Sequence, residues 1–195
     1  MRTRAGERGV SLVEILMVVA CLIALAAIAA PSVRAYSARA QVLGAGQKFR
    51  SEFFKARMDA IVTGRQTAIR FESCPQGMCY SVYRDGDRNG VLSEDILDGV
   101  DYRVAGPFTL TGGAAGVRVG INPGVPCIPP ERGPLAGEAI RFGRSRMISF
   151  TPLGGATPGT FYLAGDTFQA AVRVTGPTAR VRLMIWTGAW KEASL

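Results

Sequence analysis

The chain opens on a short polar stretch, turns apolar over residues 10–30, and then settles into two successive periodicities. Within 10–30 the polar interruptions are Ser11 and Glu14. At about 1.5 Å of rise per residue, a helix over that run spans the roughly 30 Å hydrocarbon core of a bilayer. Beyond Pro31, residues Ala35, Ala38, Val42, Gly46, Phe49, Phe53, Ala56 and Ala60 recur at three- and four-residue steps. A single apolar stripe of this kind predicts an amphipathic helix that docks onto a globular body. Gly64 is placed to end it. Arg39, Lys48, Arg50, Lys55 and Arg57 fall mostly on the other faces and read as a solvated helix surface.

After Gly64 the period shortens to that of strands. Thr67–Glu72, Tyr80–Arg84, Tyr102–Val104, Gly116–Ile121, Ala139–Phe142, Met147–Phe150, Phe161–Ala164, Phe168–Val174 and Arg180–Trp186 read as strands. Clusters of Gly, Pro and Asn separate them, and residues 122–137 form a Pro/Gly-rich loop with little strand character. The pattern predicts an α+β fold in which a long N-terminal helix packs on an antiparallel β-sheet head. It divides into a leader (1–9), a transmembrane helix (10–30), the amphipathic half of the same helix (31–63) and a β-rich head (64–195).

Composition sharpens this picture. A length of 195 residues suits one domain plus an appendage, and 24 glycines and 11 prolines suit a turn-rich head. The formal charge of +8 favours anionic partners. Histidine is absent, which removes the usual general base and the commonest transition-metal ligand together. A hydrolase would then need a carboxylate pair or a Ser–Lys dyad, and no stretch offers a convincing one. The sequence therefore points to a protein that is not an enzyme and requires no cofactor.

Residues 1–9 carry Arg2, Arg4 and Arg8 and end in Gly9. Basic residues ahead of an apolar span stay on the cytoplasmic side, so the bulk of the chain crosses the membrane. A secretory signal cut near Ala26–Ala30, or a plain signal anchor, would also contain such a run. Neither accounts for Glu14, because a carboxylate within a spanning helix costs roughly 3 kcal/mol unless it is paired. Cleavage after Gly9 would create an amine on Val10, and a neighbouring subunit could present that amine to Glu14.

The string Arg8-Gly9-Val10-Ser11-Leu12-Val13-Glu14, followed by an apolar helix, resembles the type IV prepilin signal. The resemblance implies cleavage after Gly9 by prepilin peptidase, methylation of Val10, and Glu14 as the assembly glutamate. Val10 stands where Phe or Met is common, and Pro31 stands where many pilins have a helix-kinking proline. The helix end from Phe49 to Ile61, the strand Thr67–Phe71, the stretch Ile148-Ser149-Phe150-Thr151-Pro152-Leu153-Gly154 and the stretch Gly159-Thr160-Phe161-Tyr162-Leu163 are similar to the H-type minor pseudopilin and FimT group. That likeness implies a pilin-like fold and a single pass through the bacterial inner membrane, with the head in the periplasm. The implied function is that of a structural minor pilin or pseudopilin of a type II secretion system or type IV pilus, placed in or at the tip of a filament. Its partners would be other pilin or pseudopilin subunits, prepilin peptidase and the inner membrane.

Three patches carry further candidate chemistry. Asp85-Gly86-Asp87-Arg88-Asn89-Gly90 copies the first half of a calcium loop, with Val91 offering a carbonyl. Ile96 stands at the twelfth position, so Asp95, Glu94 or Asp98 would have to replace the expected bidentate ligand through a different loop path. The same residues also make an ordinary acidic turn. Cys74 and Cys79 flank a tight turn and would oxidise outside the cytoplasm, leaving Cys127 over. A zinc site is the rival reading, though it lacks a histidine or a second close cysteine pair. Finally, Ala179-Arg180-Val181-Arg182, backed by Arg173, resembles the Gly-Arg-x-Arg segment of FimT-like DNA-binding minor pilins. Alternation puts Arg180 and Arg182 on one strand face, where they could meet successive phosphates. Trp186 and Trp190 would then stack on bases or else finish the core. This carries the alternative function, DNA binding for uptake in natural transformation; a solvated strand face is the plainer reading.

Overall fold

The computed structural model describes residues 11–75, 77–110, 116–131 and 138–193. Contacts divide the chain into two compact units, Met1–Ser37 and Ala38–Leu195. Helix α1 (Leu12–Thr63) runs through the boundary, with Pro31 inside it. In the first unit every described side chain is exposed. By length and composition this is a helix able to cross a membrane.

The second unit holds the rest of α1 and the β structure. In chain order these are β1 (Thr67–Cys74), β2 (Gly77–Arg84), the short helix α2 (Ser93–Asp98), β3 (Tyr102–Thr109), β4 (Arg118–Val119), β5 (Ile140–Arg141) and β6 (Met147–Phe150), followed by β7 (Gly159–Ala164), β8 (Gln169–Thr175), β9 (Arg180–Trp186) and β10 (Trp190–Glu192). Among the described residues they form two antiparallel sheets. One has the order β3-β2-β1-β6; the other has the order β10-β9-β8-β7-β4, with β5 also paired to β7. The chain is thus α+β, with one long N-terminal helix and antiparallel sheets.

Helix and sheets share one core. Val42, Gly46, Phe49, Phe53, Ala56 and Ala60 of the expected stripe are buried. Ala35 is exposed and Ala38 half-buried, because the packed unit begins only at Ala38. The Phe49 ring lies 5.6 Å from Tyr80 in the first sheet and 4.6 Å from Phe161 in the second. Phe53 meets Phe142 and Phe150, while Phe71 stacks between Phe142 and Phe161. Aromatic pairs at these separations add to the burial of large apolar surfaces. Gly46 lets α1 come close to β9, since a Cβ there would sit 2.5 Å from Leu183 Cδ1.

α1 ends as expected at Gly64, whose φ of 64° is left-handed. Its last turns are tied to the first sheet through Asp59, which accepts bonds from Arg84 Nη2 at 2.5 Å, Arg84 Nε at 3.1 Å and Thr67 Oγ1 at 2.8 Å. Arg84 is held more firmly protonated by that carboxylate.

The outer face of the second sheet is also covered. Ile128, Tyr162 and Ala171 are buried there, with Ile121, Ala139, Met184 and Trp190 packed against them. The described part of the Pro/Gly-rich loop supplies the cover. Trp190 Nε1 donates to Pro126 O at 2.8 Å, and Ile128 N donates to Tyr162 Oη at 3.0 Å. Burial first, and then the Glu131 carboxylate, push the Tyr162 hydroxyl well above its ordinary range, against the opposing effect of the Ile128 N–H.

Some elements differ from the sequence reading. The expected strand over 116–121 is only the two-residue β4, while β3 continues to Thr109 through a register irregularity. Helix α2 and strand β10 were not expected.

Candidate functional site

Gly9 and Val10 lie outside the described residues. Glu14 is in the first turn of α1, where its N–H donates to Ser11 O at 3.0 Å. The surrounding Leu12, Val13, Ile15, Leu16 and Met17 are all exposed, as is Glu14 itself. A helix that is apolar all round asks for lipid or other helices around it.

The acidic loop closes on itself. Asp85 is buried, and its carboxylate accepts bonds from Arg88 N at 2.6 Å and Gly90 N at 3.0 Å. Asp101, also buried, accepts from Gly86 N at 3.0 Å and Leu92 N at 2.8 Å. Asp87 takes the N–H and side-chain amide of Asn89, whose amide also reaches Asp95 Oδ2 at 3.0 Å. Val91 is buried, and its N–H donates to Gln66 Oε1 at 2.6 Å. Three carboxylates converge, Asp85, Asp87 and Asp101, with ligand atoms within 4.8 Å of one another. The structure therefore brings Asp85 and Asp87 together but sets Asp101 beside them, with Asp95 turned to Asn89. Asp101 escaped sequence reasoning because it enters from beyond α2. Backbone and side-chain amides of the same loop brace all three carboxylates.

Cys74 and Cys79 are joined by a disulfide, with Cα atoms 5.8 Å apart, across the turn between β1 and β2. Cys127 is unpaired and half-buried, and Cys21 is unpaired and exposed.

The arginine strand is less free than its sequence implies. Arg180 Nη2 lies 3.8 Å from Glu192 Oε1, and Arg182 Nε lies 3.8 Å from Glu192 Oε2. At that distance Arg182 Nε, a buried atom, has a charge partner but no hydrogen bond. Glu192 sits on β10, a strand the sequence did not reveal, and it offsets one of the two cations. Trp190 packs edge-on to Tyr162 at 5.8 Å and so completes the outer cluster; Trp186 lies 5.6 Å from Trp190.

Residues 45–178 match the model of the family described as type II transport protein GspH. No curated protein and no solved structure matches the chain.

Proposed function

The chain belongs to the type II transport protein GspH family, and from that premise we propose that it is a minor pseudopilin that anchors in the inner membrane and joins a pseudopilus through α1. The role is structural: the head meets other subunits, and no catalytic step is assigned to it. The observation that carries this reading is the coupling of a family head to an exposed apolar helix bearing a single early acid, Glu14. In this reading the chain is cut after Gly9, Val10 becomes the methylated first residue, and the new amine of one subunit neutralises Glu14 of its neighbour. The pairing removes a charge penalty of roughly 3 kcal/mol and fixes the axial register between packed helices. The periplasm is the compartment consistent with the Cys74–Cys79 disulfide.

DNA binding through Arg180 and Arg182 is the weaker reading, because Glu192 lies against both. The test is made on the membrane-derived protein. Mass spectrometry is expected to find a chain beginning at Val10, and Glu14→Ala is expected to stay in the membrane yet be lost from cross-linked pseudopilin complexes. A different first residue, or normal incorporation of Glu14→Ala, would remove the pairing mechanism.

A further inference from the structure

On the outer face of the second sheet, side chains fall into register across four strands. Arg141 of β5 is opposite Thr160 of β7, Thr160 is opposite Arg173 of β8, and Arg173 is opposite Arg182 of β9. Three guanidiniums thus share one row. Beside it lies a cavity of about 780 Å³ whose lining includes Arg141, Arg144, Arg146, Arg173, Glu131 and Glu138. Among the described residues, four cations there face two acids. Arg144 and Arg146 are exposed on the turn between β5 and β6, and among the described residues neither has an acidic partner.

The chain itself illustrates what the row accepts. Glu131 reaches down from the covering loop: Thr160 Oγ1 donates to its Oε1, Tyr162 Oη donates to its Oε2 at 3.1 Å, and Arg141 Nη1 lies 3.9 Å from Oε2. Arg173 Nη1 is spent on the carbonyls of Ile128 and Pro129 at 3.3 and 2.6 Å, which holds the loop in place. Glu131 is thereby committed to the fold, and the charge left over belongs to the turn arginines. Arg146 is fixed there with φ of 50° while its carbonyl accepts from Phe71 N at 3.0 Å, so the turn is tied to the first sheet.

We propose that this cavity is a docking site for an acidic side-chain cluster of another protein subunit, with Arg144 and Arg146 receiving its carboxylates beside the Arg141–Thr160–Arg173 row. A protein partner fits better than nucleic acid. Glu131 and Glu138 interrupt the positive lining, which suits discrete carboxylates and repels a continuous phosphate backbone. Arginine also offers the paired donors that carboxylates prefer.

The full chain in detergent micelles is titrated into fluorescein-labelled hexaglutamate at low salt, with binding read by anisotropy. Saturable binding is expected, weakened by roughly tenfold in Arg144→Glu combined with Arg146→Asn and unchanged in Arg103→Glu on β3. Asn is chosen because it tolerates the left-handed backbone. Near-UV circular dichroism checks the fold, and should the pair fail to fold, Arg144→Gln alone decides by the same loss. No binding by the native chain, or equal binding by the variants, overturns the proposal. So does a twenty-base-pair duplex that displaces the peptide at lower concentration. The cavity is remote in sequence from Glu14, so peptide binding and assembly through α1 can fail independently.

Discussion

A hydroxyl enclosed by rings resists losing its proton, and Tyr80 is placed that way. Phe49, Phe71 and Phe108 have ring centroids within 6.5 Å of its own. Burial first, and then the Glu52 charge, push its pKa up to about 12. Tyrosine ionises near pH 10 in an unfolded chain, so from there to about 12 the native state keeps a proton that the unfolded state releases. Its contribution to stability is therefore intact below pH 10 and drains away as the pH rises toward 12. The urea midpoint is expected to stay level from pH 8 to 10 and then fall, with a shallower fall in Tyr80→Phe; equal slopes would show that Tyr80 is not responsible. At this scale the sequence was legible where partners are close in the chain. The self-bracing of Asp85 by Arg88 and Gly90 is local, and the turn motif announces it. Asp101 and Glu192 were not legible: Asp101 returns to Gly86 and Leu92 only once the α2 segment has folded between them, and Glu192 meets Arg180 and Arg182 only through β10, a strand of three residues.

Among the elements, α1 was the most legible, because its stripe meets both periodicity and burial requirements. The stripe also yields a contrast within two adjacent residues. Phe53 is fully buried against Phe142 and Phe150, whereas Phe54 is exposed beside Arg50. Phe53→Ala is expected to cost about 3–5 kcal/mol and Phe54→Ala well under 1 kcal/mol. Comparing their urea midpoints checks this, and similar losses would mean that the helix is rotated from the orientation described. Helix α2 was hidden for a physical reason: it spans only Ser93–Asp98, buries no residue and lacks a side-chain cap at Leu92, so no apolar period accompanies it and its left-handed Gly99 reads as one more turn glycine. β10 has only three residues and owes its position to pairing with β9. β3 ran past its expected end because Gly106 and Pro107, ordinarily punctuation, are absorbed by the irregular pairing with β2. A Cβ at Gly106 would press to 2.9 Å from Tyr80 O, so glycine there serves close approach as well as its φ of 101°.

For the molecule as a whole, alternation along each segment foretold strands but not their partition into two sheets. β6 pairs with β1 across a long sequence gap, and β4 reaches β7 likewise. Such pairings are chosen by the core that closes around them, which no window of sequence contains. The family match begins within α1 and ends just before β9, so the arginine strand and its Glu192 partner lie beyond it. Phe49 of α1 packs against both sheets at once, and Asp59 fastens the end of the same helix to Arg84 and Thr67. Force entering the head through α1 at Ala38 therefore reaches a core that both sheets share. Optical-tweezers traces, with handles at Tyr36→Cys and beyond Ala193, are expected to show one rip; two well-separated rips would mean that the layers bear load one after the other. A head joined to its helix in this way is expected to keep hold of it for as long as the shared core stays folded.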